Sequence, residues 1–285
     1  MERSDAARGK YRAVQQPIRY LVGSLPLLLA IGFLAALPGT GGCSDGRAHA
    51  DPEGASARGT DVGTPGAAVS AAQDRFAARR AAMVAEQLAR RDISAPEVLA
   101  ALGRVPRHEF VPQAYRDRAY ADGPLPIGHA QTISQPYVVA LMTQLVRPDS
   151  TDKALDVGTG SGYQAAILAE IVDRVYGIEI VCPLAEEAAA RLDRLGYEKV
   201  TVRCGDGYAG WPEHAPFDVI ILAAAPDHVP PALVEQLAPG GRLVLPVGRG
   251  VQELVLIEKG ADGTVTRRDV LPVRFVPMTG AAQRR

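Results

Sequence analysis

The run Leu155-Asp156-Val157-Gly158-Thr159-Gly160-Ser161-Gly162 constrains this chain more than any other segment. A short apolar stretch carries one acid, meets three glycines spaced by single residues, and passes into an apolar-periodic segment. Glycine lets the backbone adopt positive φ and approach a ligand closely. Strand, tight turn and helix in that order open a βα unit, which buries its faces only as part of a parallel sheet. The pattern then repeats. Strands are predicted at 154–157, 175–179, 200–204, 219–223, 243–246, 254–258 and 273–276, with helices at 162–171, 183–195 and 231–237. Further helices are predicted at 75–90, 96–102 and 136–145, and Pro239-Gly240-Gly241 reads as a tight turn before a strand. The expected fold is α/β: a Rossmann-like, doubly wound sheet of about seven strands with helices on both faces. It is mostly parallel, and its last two strands form an antiparallel hairpin.

The spacing of the turn narrows its ligand. A dinucleotide-binding turn has G-x-G-x-x-G and cradles a pyrophosphate. Here the spacing is G-x-G-x-G, with Asp156 at the strand end. A carboxylate is unfavourable beside a pyrophosphate and acceptable beside a sulfonium and an amino group. This form resembles motif I of methyltransferases that use S-adenosylmethionine (SAM). Glu179 ends the next strand, where a carboxylate can accept hydrogen bonds from ribose hydroxyls. Gly205-Asp206-Gly207 follows the third strand, where an acidic side chain or a backbone amide can meet an adenine. The expected cofactor contacts are Asp156, Gly158, Thr159, Gly160, Gly162, Glu179, Asp206 and Gly207.

Composition separates the chain near residue 75. Residues 1–19 are basic, and 21–37 are uncharged and apolar, followed by small residues and Cys43. Residues 1–43 therefore read as a signal or anchor segment, with Cys43 at a permissive lipoprotein-type cleavage site. Residues 44–74, rich in Gly, Ala and Ser, read as a flexible linker that cannot bury enough apolar surface to order itself. Residues 75–285 are expected to carry a single domain, that of the methyltransferases the glycine turn resembles. The formal net charge of the chain is −1, which argues against a nucleic-acid partner. The histidines show no metal-binding spacing, and no metal is expected. Cys43, Cys182 and Cys204 are too few and too scattered for a disulfide framework, so Cys182 and Cys204 are expected as buried structural thiols. Tyr208 and Trp211 are read either as walls of an adenine pocket or as core packing.

Just ahead of the first strand lies Leu125-Pro126-Ile127-Gly128-His129-Ala130-Gln131-Thr132-Ile133-Ser134-Gln135-Pro136-Tyr137. If this segment is extended, Thr132 and Ser134 project to the same side. Ser134 could equally cap the helix that starts at Pro136.

Here the chain resembles a family closely. LPIGHAQTISQPY, LDVGTGSGYQAAILA, GDGYAGWP, FDVIILAAAP, LAPGGRLVLPVG and VRFVPM are similar to protein-L-isoaspartate O-methyltransferases, as are MVAEQLARRDI and VPRHEFVP. The likeness covers 76–280, and the QTISQPY segment is a hallmark of that family. It implies methyl transfer from SAM to the free α-carboxylate of L-isoaspartyl residues in damaged proteins. The ester then closes to a succinimide and hydrolyses in part to normal aspartyl. Ser134 matches the family's active-site serine, and Thr132, Ile133 and Val276 match its substrate-lining regions. The alternatives are a carboxyl methyltransferase with another acceptor, or a tethered binding protein without catalysis. The resemblance and the need for SAM imply a cytoplasmic location, and a monomer is expected. Residues 1–43 imply the opposite location, a membrane-anchored enzyme or an exported lipoprotein, unless the start codon is assigned too far upstream.

Overall fold

The computed structural model describes residues 75–283. The signal or anchor segment at 1–43 and the linker at 44–74 lie outside the described residues. Seven strands form the main sheet: β3 (Lys153–Val157), β4 (Arg174–Glu179), β5 (Val200–Cys204), β6 (Phe217–Leu222), β7 (Leu237–Val247), β8 (Gln252–Lys259) and β9 (Val265–Val273). Their spatial order is β5-β4-β3-β6-β7-β8-β9. The first five in that order run parallel, and β8 and β9 are antiparallel to their neighbours. The chain leaves β3 for β4 on one side and later returns to lay β6 on the other. That reversal creates a crevice above the carboxyl ends of β3 and β6, the usual ligand position in open α/β sheets.

The sequence explains the layering. β6 is FDVIIL and is buried on both faces, as a central parallel strand must be. Val219 and Ile221 face one core, while Ile220 and Leu222 face the other. The first core is covered by α1 (Pro96–Arg104), α2 (Pro136–Val146), α3 (Tyr163–Ala169) and α4 (Cys182–Arg194). The second is covered by α5 (Pro231–Glu235), by the 3-10 turn that carries Tyr208 and by Trp211, which precedes the next such turn. β9 closes the sheet, and its outward Arg267, Arg268 and Asp269 protect that edge from further pairing. A helix over 75–88 precedes α1 and takes π geometry from Met83 to Leu88. Among the described residues no helix is long and apolar enough to cross a membrane.

Four sequence readings need correction. The last strand is Val265–Val273, not 273–276, because pairing with β8 runs back to Val265. Pro239-Gly240-Gly241 does not precede a strand; it lies inside β7, where the register slips between Phe217 and Val219 of β6. Ser134 is not the helix cap, since Gln135 holds that position and makes no side-chain cap bond. Cys182 and Cys204 are neither buried nor free thiols. Both are exposed, and they form a disulfide across a Cα separation of 4.8 Å. Parallel pairing puts Cys204 opposite Glu179, which brings Cys204 beside the first turn of α4. Spacing in sequence could not show that proximity.

Candidate active site

A two-strand hairpin, β1 (Leu125–Gly128) with β2 (Gln131–Ile133), is built from the segment ahead of α2. Its tip, His129-Ala130, takes the left-handed conformation at both residues, as a two-residue hairpin turn requires. The hairpin leans on the glycine turn: a Cβ at Gly160 would lie 3.2 Å from Ile127 Cδ1. Ile133 is buried while Thr132 is exposed and Ser134 half-buried, so both hydroxyl residues stand away from the core.

One cavity opens at the carboxyl ends of β3, β4, β5 and β6. Gly158, Thr159 and Gly160 line it from the turn, Glu179 from β4, Asp206 and Gly207 from β5, and Ala223 from β6. The turn is pinned by N–H groups of Gly158 and Thr159 donating to Ile178 O, at 2.8 and 3.2 Å. Gly158, Gly160 and Gly162 all have positive φ, which accounts for the glycine spacing. Glu179 is buried. Its Oε2 accepts from Gly160 N at 2.8 Å, and its Oε1 accepts from Val181 N at 2.9 Å. Two main-chain donors therefore fix the carboxylate and leave each oxygen a second lone pair for a ligand. Asp206 accepts from Tyr208 N at 2.9 Å and from Ala281 N at 2.7 Å. The second bond draws the C-terminal segment back over the cavity, where Val276, Met278 and Thr279 join the wall.

Two expected contacts stand off the wall. Gly162 caps α3, where a Cβ would meet Leu192 at 3.1 Å. Asp156 lies beneath the turn with no solvent exposure, and neither carboxylate oxygen has a hydrogen-bond partner among the described residues. Burial, with the nearby charge of Glu179 adding to it, pushes its pKa up to about 7. Tyr208 and Trp211 settle as core packing, both buried in the second core.

A second cavity adjoins the first. Thr132, Ser134, Ala223, Val276 and Pro277 line both, so the two meet at the serine. Ser134's hydroxyl makes no hydrogen bond among the described residues and is free to donate to a ligand. Arg91 and Arg274 are the charged residues lining this second cavity, and Glu179 and Asp206 are those lining the first. Arg91 pairs with Asp122 at 2.5 Å and lies 4.6 Å over the Tyr137 ring. Sequence reading missed Arg91, Arg274 and Ala223, which only the fold brings to the cavities. The ordinary signal of a charge cluster was absent.

A glycine turn at a topological switch, carboxylates at the ends of the next two strands, and a second cavity adjoining the first are the arrangement of a SAM-dependent methyltransferase. The sequence profile of protein-L-isoaspartate(D-aspartate) O-methyltransferases matches residues 78–283. The chain is 56% identical over 226 residues to a Syntrophobacter fumaroxidans protein-L-isoaspartate O-methyltransferase 2, covering 75% of this chain and 92% of that one. It is 59% identical over 185 residues to a Polaromonas relative of the same name, covering 64% and 88%. A solved protein-L-isoaspartate O-methyltransferase superimposes with a TM-score of 0.65 at 29% identity, covering 72% of this chain and 66% of the other. A Plasmodium falciparum relative solved with S-adenosyl-L-homocysteine gives 0.61 at 25% identity, covering 70% and 98%. The chain belongs to the protein-L-isoaspartate(D-aspartate) O-methyltransferase family.

Proposed function

We infer that this enzyme transfers a methyl group from SAM to the free α-carboxylate of L-isoaspartyl residues in damaged proteins and peptides. The observation that carries the reading is the meeting at Ser134 of a cavity lined by Glu179 and Asp206 with one lined by Arg91 and Arg274. When bound, SAM supplies a methyl group already activated on a sulfonium. The acceptor is an α-type carboxylate with a pKa of about 3.5, ionised at neutral pH, so no general base is required. What remains for the protein is placement and exclusion of water. Glu179 holds ribose hydroxyls, and Gly158, Thr159 and Gly160 admit the cofactor closely. Asp206 and Gly207 face the adenine. Ser134 donates its hydroxyl to the acceptor carboxylate and orients one oxygen in line with the methyl group. A neutral donor suits this task, since a guanidinium in direct contact would stabilise the ground state and blunt the nucleophile. Thr132, Ile133 and Val276 shape the passage between the cavities. The enzyme acts as a monomer on isoaspartyl proteins and has no nucleic-acid partner. The deciding assay compares methyl incorporation into an isoaspartyl peptide and its normal aspartyl twin. Incorporation confined to the first is expected; equal incorporation overturns the reading.

Location divides into two readings. The need for SAM favours the cytoplasm. The exposed Cys182–Cys204 disulfide favours the other side of the membrane, because such bonds are rare in reducing cytosol, and residues 1–43 read as an export or anchor segment. Cell fractionation with mass spectrometry of the mature N-terminus decides. A mature chain starting near residue 75 in the cytosol excludes export, and a lipidated Cys43 excludes the cytoplasm.

A further inference from the structure

Arg107 heads the fully buried large side chains among the described residues. It opens the 3-10 turn Arg107–Phe110 in the VPRHEFVP segment, to which the reaction described above assigns no task. A buried guanidinium ordinarily faces a carboxylate, because an uncompensated charge is costly to take out of water. None of the ion pairs among the described residues includes Arg107. Nε donates to Ala119 O at 2.8 Å, and Nη2 donates to Ser134 O at 2.7 Å. The guanidinium carbon lies 4.8 Å from the centre of the Tyr163 ring, and Nη1 has no hydrogen-bond partner.

These contacts join the two halves of the site. Ser134 sits in the short link between β2 and α2, and its carbonyl takes no main-chain donor among the described residues. Arg107 is therefore what ties that carbonyl down. Tyr163 begins α3 directly after the glycine turn and lines the cofactor cavity. One rigid, planar group thus bears on the acceptor serine and on the helix behind the cofactor turn. Fold stability alone does not ask for a cation here, since a buried charge can often be replaced by apolar groups at no loss. A fork with fixed donor directions is needed where a carbonyl must be held at a set angle.

Resting on the functional reading above, we propose that Arg107 is a positioning residue for methyl transfer, fixing Ser134 relative to the glycine turn. It acts through the serine main chain, one step removed from the acceptor, and so does not blunt the nucleophile. The test uses Arg107→Met and Arg107→Lys in the full chain. Thermal stability, SAM affinity by calorimetry, and kcat and KM for an isoaspartyl peptide are read for each. Displacing a reacting group by about 1 Å costs roughly 100-fold in rate. The Met variant is expected to lose about 30- to 100-fold in kcat while SAM affinity stays within about twofold. The Lys variant, which keeps the charge and its N–H donors but loses the planar fork, is expected to lose about tenfold in kcat. Should Met not fold, Lys alone carries the test. Wild-type kcat in the variants overturns the proposal. So does a SAM affinity that falls in step with kcat, which would mark a purely structural strut. A wild-type enzyme inert on the isoaspartyl peptide overturns the functional reading first, and the proposal with it.

Discussion

The cofactor cavity and the acceptor cavity share a wall, yet their charges are opposite. The charged residues lining the first are carboxylates, Glu179 and Asp206, with the buried Asp156 beneath. Those lining the second are guanidiniums, Arg91 and Arg274. A sulfonium donor and a carboxylate acceptor each lose their charge as the methyl group moves. Under the proposed reaction each cavity would hold its own ion, and the neutral surfaces of Thr132, Ser134, Ala223 and Val276 lie between. The division also differs in how it is built. The carboxylates are gripped by main-chain N–H groups and are rigid, and Arg91 is held by Asp122, while Arg274 stands exposed at the rim.

The largest effect should fall on the shared wall. Ser134→Ala is expected to lower kcat/KM for the isoaspartyl peptide about 100-fold, the scale of one lost transition-state donor, with SAM affinity nearly unchanged. A parallel loss of SAM binding would show that the two cavities are one site. Next comes the covalent tie on the cofactor side. Reducing Cys182–Cys204, which closes a loop of 22-residue separation, should cost about 3 kcal/mol of stability and lower Tm by several degrees. Calorimetry under a dithiol reductant reads both Tm and SAM affinity, and an unchanged Tm would empty the bond of structural meaning. Glu179→Gln removes a charged acceptor and should weaken SAM about 30-fold, leaving the acceptor KM alone. A shift confined to acceptor KM would reverse the assignment of the two cavities.

A smaller effect concerns pH. The Asp156 carboxyl is raised to about 7 in the folded protein, mainly by burial. Between about pH 4 and pH 7 the unfolded chain gives up this proton while the folded chain keeps it. Stability owed to Asp156 therefore falls as pH rises through that window and is level above it. Asp156→Asn should flatten that slope in Tm measured without cofactor; an unaltered slope would mean the carboxyl is not raised. The smallest effect belongs to the rim. Arg274→Gln should raise acceptor KM about two- to fivefold at low salt and less at high salt, since Arg274 is exposed. A change larger than that of Glu179→Gln in any parameter would contradict the contrast between a rigid cofactor side and an adaptable rim.

Local chemistry decided what could be read in advance. The glycine spacing, Glu179 at a strand end and the QTISQPY segment each carry their meaning within a few residues. The sheet and the cofactor turn were accordingly legible. β9 was displaced because its outward face is charged and its pattern weak, and the strand is defined by pairing with β8 rather than by its own periodicity. Gly240 reads as a turn residue, but its positive φ serves an irregular stretch inside β7.

By itself, then, the sequence determined the α/β class and the methyltransferase turn, and it singled out Ser134 as a candidate, because each depends on neighbours along the chain. Tertiary structure alone decided the rest. It joined Cys182 to Cys204, moved Asp156 under the turn instead of into the wall, and delivered Arg107 to the back of Ser134. These are contacts between residues remote in sequence, set by strand register and by which faces of the helices are buried. No local pattern encodes them, and they are what turns a cofactor-binding fold into a site with two charged halves.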